Sequence, residues 1–384
     1  MGFFTSPSVA FGPGAIEQIA ALEPRHLVLV VSPSVRGIDP VRRLEEFLAR
    51  TVGGATTVAA AGGAPTTTAA DALAAAFPGD VDAIVAVGGG STLDLAKAAR
   101  ARRLRPDLSW NDFGPLADLG GASRLPFVAI PSTAGSGSEM TGATHLLRED
   151  GRNLEVLHRD LAPTWALLDP AFSRTVPTDA ARRTGFEVVA HAIEALASDW
   201  ANPFSDAMAR DALAVALGAL GRFARQAKDP EPRADLHYAA ARAGLAGANS
   251  SYGLAHAVAR ALLPTTPSVG YAGWLAVALP ESVDFNFASA RDRYEAIAAA
   301  LPPMPGASFG SLADRIRAFA RTVGLPTDLG GLGVDPATLR REREAIVERI
   351  RASTASVGNP RVPSPGEQTH FLERLEEGGR RLPP

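Results

Sequence analysis

Cysteine is absent from the 384 residues. Disulfides, thiolate zinc sites, iron–sulfur clusters and a cysteine nucleophile are thereby excluded. Lysine is nearly absent as well: Lys97 and Lys228 stand against 36 arginines, so Schiff-base chemistry has two residues to choose from. Long apolar runs are missing. LAVALP (275–280) falls far short of the about 18 residues that a membrane-spanning helix needs. No charge of one sign dominates either. A net charge of −3 argues against nucleic acid or a membrane surface as partner. The start, MGFFTSPSVAFGPG, has no basic lead and reaches Pro7 before any apolar run of signal length, so a cytoplasmic protein is expected. Any metal must be held by the 7 histidines and by carboxylates.

What is present is a chain 46% hydrophobic and long enough for two to three domains of about 150 residues. Residues 1–178 alternate short apolar runs with helical segments. HLVLVVS (26–32), TTVAAAG (56–62), DAIVAVGGG (82–90), LPFVAIPSTAG (125–135) and WALLDP (165–170) read as strands. PVRRLEEFLAR (40–50) and TAADALAAAF (68–77) read as helices between them, and this alternation predicts a parallel α/β sheet. Over 179–384 the strand signal stops. AARRTGFEVVAHAIEALAS, ARDALAVALGALGRFARQA, DLHYAAARAGLAGANS, DRYEAIAAAL, SLADRIRAFARTVG and TLRREREAIVERIRAS carry apolar positions at helical spacing, and LPPMPGASFG (301–310) reads as a linker.

Two loops and one helix carry the chemistry. DAIVAVGGGSTLDLAKAAR runs a strand into Gly88, Gly89, Gly90 and Ser91 and then into a helix. Amide groups on such a turn, with the helix dipole behind them, suit a pyrophosphate. A ligand-free strand-to-helix turn is the plainer reading, and the GxGxxG fingerprint is missing. A second strand ends in PSTAGSGSE (131–139), again rich in Gly, Ser and Thr where an open α/β sheet binds its ligands. In TGFEVVAHAIEALAS, Glu187 and His191 stand four apart on one helical face, a spacing at which a carboxylate and an imidazole can share a divalent ion. Glu194, three further on, reads either as support for that pair or as a surface charge. His256 sits in a second small-residue helix. His26, His145, His158, His237 and His370 have no partner at ligand spacing and read as structural, although His145 follows a cofactor-type loop.

Taken in order, these segments resemble the iron-containing (group III, metal-dependent) alcohol dehydrogenase family over nearly the whole chain. VAFGPGAIEQI (9–19) resembles its entry hairpin and GGGSTLDLAK (88–97) its GGGSxxDxAK loop. IPSTAGSGSEMT (130–141) is similar to PTTAGTGSExT, and LLDPAFSRTVP (167–177) to the DPxLxxxxP exit from the first domain. GFEVVAHAIEALAS (185–198) resembles GxDALxHAIEAYxS, GLAHAVAR (253–260) resembles GLxHAxAH, and GNPR (358–361) a late NPR element.

The resemblance implies a dinucleotide-binding α/β domain over 1–178, a helical metal and substrate domain over 179–384, and an active site in the cleft between them. It implies NAD or NADP at Gly88, Gly89, Gly90, Ser91, Asp94, Ser132, Thr133 and Ser136, with Lys97 at the tail of the first loop. Glu187, His191 and His256 would be metal ligands for zinc or iron, in a site that polarises the oxygen of a small alcohol or carbonyl substrate. A homodimer is the assembly it suggests.

Departures from the pattern define further expectations. Glu187 replaces the family's usual Asp. The fourth ligand, a His in a PHG motif, belongs within TTPSVGYAGWLAVALP (265–280), where there is none, and Arg260 replaces the second His of the HAxAH run. A three-ligand zinc site and a metal-free variant both fit; in the second, Tyr271 or His145 would polarise the oxygen. Pro33 stands where NAD-preferring members place an Asp, with Arg36 nearby, which leaves NADP open. EDGRNLEV (149–156) lacks the lysine that members often place there. Other readings are a lyase similar to dehydroquinate synthase, a tailoring dehydrogenase that meets a carrier- or peptide-bound alcohol with a partner protein through SVGYAGWLAVALP, and a redox-inactive homologue.

Overall fold

The parallel sheet follows from where the apolar residues fall. In the computed structural model, which describes residues 4, 7–114, 117–120, 124–226, 231–301 and 310–378, the chain divides into two units, Met1–Pro177 and Thr178–Pro384. Unit 1 carries β1 (Ser8–Phe11), β2 (Leu27–Val31), β3 (Ala55–Ala59), β4 (Ala83–Gly88), β5 (Phe127–Pro131), β6 (Ala143–Leu147), β7 (Asn153–Leu157) and β8 (Trp165–Leu168). Every residue of β2, β4 and β5 is buried, as unbroken apolar runs are when a parallel sheet is covered on both faces. The sheet order is β1-β8-β5-β4-β2-β3, parallel throughout.

α1 (Asp39–Thr51) packs on one face against Leu27, Leu29, Val85 and Val128, through Val41, Leu44 and Leu48. α2 (Thr67–Ala75) and α3 (Gly90–Leu104) cover Val28, Val30, Ile84 and Ala86 on the other. Helices on both faces make unit 1 a doubly wound fold. The chain leaves β2 outward to β3 and leaves β4 the other way to β5, so the order reverses between β2 and β4, which are neighbours (Val31 beside Val87). Crevices at the carboxyl ends of such strands are where α/β sheets bind ligands.

Unit 2 is helical in its described residues: α4 (Thr178–Ala197), α5 (Pro203–Arg225), α6 (Glu231–Ser250), α7 (Leu254–Leu262), α8 (Tyr271–Asn286), α9 (Arg291–Ala300), α10 (Leu312–Thr322), α11 (Leu329–Leu332), α12 (Pro336–Arg341), α13 (Arg343–Ala352) and α14 (Pro365–Glu376). α4 packs against α5, α6 and α8, and α7 packs against α8 and α13. α5 begins at Pro203 because Asn202 and Ser205 form a reciprocal capping box. No described helix is long and apolar enough to cross a membrane.

Four expectations need correction or fall away. The 9–19 segment is no hairpin: β1 pairs in parallel with β8, Ser8 beside Trp165, and Gly12 and Gly14 turn the chain at positive φ into a 3-10 helix over Ala15–Leu22. The helical pattern over 338–353 breaks at Glu342 into α12 and α13. The antiparallel pair β6–β7, turning at Gly151 (φ 78°), escaped the periodicity. Lys228 and 302–309 of the expected linker lie outside the described residues.

Candidate active site

The two Gly/Ser/Thr loops leave neighbouring strands side by side. Gly88 at the end of β4 pairs with Pro131 at the end of β5, and the Ser132 amide donates to the Gly88 carbonyl at 2.8 Å. Gly89 caps α3: its carbonyl accepts from the amides of Thr92 (2.9 Å) and Leu93 (3.1 Å), and the amides of Gly90 and Ser91, ahead of them, have no acceptor within the helix. A Cβ on Gly90 would lie 2.6 Å from Ser136 Oγ and 2.7 Å from Ser136 Cβ. One on Gly89 would lie 3.2 Å from Thr133 Oγ1, and one on Gly88 would lie 2.4 Å from Thr92 Cβ. The glycines are thus required by contact between the loops as well as by any phosphate. Ser91 is exposed, Thr133 and Ser136 half-buried and Ser132 buried, so the candidate positions form one partly open rim.

Asp94 and Lys97 face inward beneath that rim. Lys97 is fully buried, and its Nζ donates to Ser138 O (2.6 Å), Ser138 Oγ (2.9 Å), Thr141 Oγ1 (3.1 Å) and Ala143 O (2.8 Å). Asp94 accepts from Ser138 Oγ (2.5 Å), the His145 amide (3.1 Å) and His145 Nδ1 (3.2 Å). Burial pushes the Asp94 carboxyl up, but the His145 bond, the Lys97 and His145 charges and the Ser138 bond outweigh it and hold the group below its usual value. Burial pushes the Lys97 ammonium down to about 8 and the Glu139 carboxyl up to about 7. Asp94 and Lys97 therefore tie the second loop to α3. His145, expected to be structural or near the site, is the partner of Asp94.

In unit 2, Glu187, His191 and Glu194 lie along one face of α4 and are 7%, 3% and 4% exposed. His256 is fully buried on α7, with its ring centroid 4.5 Å from that of His191. Tyr252, a residue that sequence reasoning missed, stacks on His256 at 4.4 Å and lies 4.6 Å from His191. Its ring fills the space where Gly247 of α6 has no side chain. Tyr271, first residue of α8, lies edge-on to His256 at 5.9 Å. The Tyr271 hydroxyl is buried and hydrogen-bonds to nothing among the described residues. Burial pushes the phenol above its usual range, the Arg260 guanidinium draws it back, and Glu187, Tyr252 and Glu194 add to the rise.

Glu194 resolves as a buried support. Its carboxylate accepts from the amides of Gly253 (3.0 Å), Ala255 (2.8 Å) and His256 (3.3 Å), from Ser282 Oγ (3.2 Å) and from His256 Nδ1. The signal was its spacing, seven residues beyond Glu187 on the same face. Asn359, in the late NPR element, accepts from the Leu254 amide (3.0 Å) and exchanges two 2.8 Å bonds with Asn286.

The structure brings His191 and His256 together, but among the described residues no three His, Asp or Glu side chains form a group that could hold a metal ion. The expected Glu187–His191–His256 triad is therefore not assembled. The charge of Arg260 lowers the Tyr271 phenol and that of Glu187 raises it. The remaining histidines hold other posts: His26 bonds Asp80 and Thr56 (2.9 Å each), His158 caps a 3-10 turn, His370 is exposed beside Glu373, and His237 is buried in α6.

Comparison with known proteins agrees with both units. Residues 6–170 match the family model described as iron-containing alcohol dehydrogenase, and residues 181–374 match that of the Fe-containing alcohol dehydrogenase family, C-terminal. An alcohol dehydrogenase of Thermococcus barophilus is 35% identical over 260 residues, which is 64% of this chain and 64% of that protein. The probable alcohol dehydrogenase EutG of Escherichia coli K12 is 31% identical over 287 residues, 74% of this chain and 70% of that one. Among solved structures, an iron-containing alcohol dehydrogenase from Thermococcus thioreducens superposes with a TM-score of 0.87 at 28% identity, covering 98% of this chain and all of that one. With matches that run between them from residue 6 to residue 374, the chain belongs to the iron-containing alcohol dehydrogenase family of oxidoreductases.

Proposed function

We propose that the protein is an NAD(P)-dependent oxidoreductase that interconverts an alcohol with its aldehyde or ketone. The observation that supports this best is the pair of touching loops at the carboxyl ends of β4 and β5, set at the N-terminus of α3. A Cβ at Gly88, Gly89 or Gly90 would collide with or crowd a neighbour, so no side chain stands between the backbone there and an anion at the N-terminus of α3. Gly88, Gly89, Gly90, Ser91, Ser132, Thr133 and Ser136 would hold the pyrophosphate and neighbouring groups of the dinucleotide. Asp94 would act one layer below, through Ser138 and His145. The bound nicotinamide would supply or accept the hydride. Pro33 and the exposed Arg36 follow β2 at the point where the strand order reverses, where a 2′-phosphate meets no carboxylate from either residue.

The family's divalent ion fits this chain poorly. Two imidazoles are in place, but the described residues supply no third donor grouped with them, and the cation of Arg260 works on the same hydroxyl as Glu187. The tailoring reading loses its observation as well: within SVGYAGWLAVALP, the residues from Gly273 to Pro280 are the buried body of α8, with Trp274 fully inside, and offer no docking face.

The test is direct. Purified protein should quench or shift NADH or NADPH fluorescence on titration and should oxidise the reduced cofactor with at least one member of an aldehyde and ketone panel. Failure to bind either cofactor sinks the proposal, and the ratio of the two affinities decides between NAD and NADP.

A further inference from the structure

The geometry points to an organic group, the Tyr271 hydroxyl backed by the Arg260 guanidinium, as the polariser of the substrate oxygen in place of a metal ion. The inference rests on the oxidoreductase reading above. Four observations in unit 2 support it. The Tyr271 hydroxyl is buried yet donates to no acceptor among the described residues, and a buried polar atom left so calls for a partner that binds there. Tyr271 lies edge-on to His256, whose ring packs with those of His191 and Tyr252, so Tyr271 belongs to the same cluster as the two imidazoles. Arg260 follows His256 by one turn of α7 and therefore shares its face, where its positive charge favours a developing alkoxide and disfavours a dication. Among the described residues, no third His, Asp or Glu joins the two imidazoles in a group that could hold a metal ion.

Glu194 holds the Nδ1 hydrogen of His256, which fixes that ring and with it the surface on which Tyr271 rests. In the reducing direction, a bound reduced nicotinamide would supply the hydride to the carbonyl carbon, and Tyr271 Oη would give its proton to the carbonyl oxygen. The C=O π bond, the donor C–H bond and the Tyr271 O–H bond would break, one C–H and one O–H bond would form, and the phenolate, favoured by the charge of Arg260, would regain its proton from water. Oxidation runs the same exchange in reverse.

The experiment combines metal content, turnover and three variants of the full chain. Protein purified without chelator should hold less than about a tenth of an equivalent of zinc, iron or manganese. It should show no visible absorption bands on titration with Co²⁺ and should keep its rate of carbonyl reduction in excess 1,10-phenanthroline. Tyr271→Phe should lower kcat about a hundredfold or more, the scale of a lost proton donor, with KM for NAD(P)H and the fluorescence titration unchanged. Arg260→Lys should retain more of kcat than Arg260→Met, and that pair decides if Tyr271→Phe fails to fold. One equivalent of tightly held metal whose removal abolishes turnover overturns the inference alone, and so does a Tyr271→Phe variant within threefold of wild type. Wild-type protein that binds the cofactor but reduces no carbonyl overturns the oxidoreductase reading, and this inference with it.

Discussion

Glu194 on α4 and His256 on α7 are joined by a buried hydrogen bond from His256 Nδ1, and the same carboxylate closes the open amides at the start of α7. One side chain thereby serves as helix cap, as counter-charge at the positive end of the helix dipole and as the group that orients the imidazole.

The consequence is a graded loss on substitution. Glu194→Gln keeps the volume and one acceptor oxygen but turns the other into an NH2 donor, which leaves either the Gly253 or the Ala255 amide without its acceptor. Glu194→Ala removes every acceptor. The first should cost about 1–2 kcal/mol and the second about 3 kcal/mol or more, the scale of stranding several buried donors. Urea denaturation followed by circular dichroism measures both. Equal stability for all three proteins would show that the cap and the His256 bond carry no weight.

Contact between the two loops makes Gly90 sensitive for a reason separate from phosphate access. A methyl group there meets the Cβ of Ser136, which cannot rotate away. Gly90→Ala should push the loops apart and weaken NAD(P)H binding about tenfold or more, roughly 1.4 kcal/mol. Adding Ser136→Gly removes the obstacle and should recover most of the affinity, as read by fluorescence titration. A double variant no better than Gly90→Ala would return the whole requirement for glycine to the ligand.

The fold was legible where burial is uniform and obscure where pairing is remote. β2, β4 and β5 announce themselves because both faces of the sheet are covered. β1 does not, because its place is set by a partner over 150 residues away, Trp165 beside Ser8. β6 and β7 are half-buried and carry Thr144, His145 and Glu155 among their apolar residues, so no clear alternation marks them. At the site, helical spacing placed Glu187, His191 and Glu194 on one face. It could not show that Tyr252 packs over Gly247, or that Tyr271 crosses the turn between α7 and α8 to meet His256. Those contacts depend on how the helices pack.

Glu139 should make stability depend on pH in the acid-to-neutral range. It is 2% exposed, and burial raises its folded value to about 7 against an unfolded value of 4.5. Between those limits the folded chain holds a proton that the unfolded chain has released. Its contribution is therefore full below about pH 4.5 and is lost as pH rises through 7, by an amount on the order of 3 kcal/mol. Lys97 works in the other direction at higher pH. Its folded value of about 8 lies below the unfolded 10.5, so the cost of burying its charge is relieved as pH climbs between them. Urea midpoints taken from pH 4.5 to 7.5 should fall less steeply in Glu139→Gln than in wild type, and parallel profiles would remove Glu139 as the titrating group.

His237 should govern the acid limb of unit 2. Its ring is 1% exposed, and neither nitrogen has a hydrogen-bond partner among the described residues. Burial lowers its folded value to about 4 from 6.5, so the folded chain keeps it neutral. Below about pH 6.5 the unfolded chain binds a proton that the folded chain refuses, and stability drains as pH falls toward 4, by roughly 3 kcal/mol over the window. His237→Leu removes both the proton site and two desolvated nitrogens at similar volume. It should raise stability at pH 7 by about 1 kcal/mol and flatten the decline between pH 6.5 and 4. Paired urea titrations at pH 7 and pH 5 measure the two effects separately. A variant less stable at pH 7, with the acid decline intact, would show that the imidazole is held by contacts worth more than its desolvation and that another group carries the acid sensitivity.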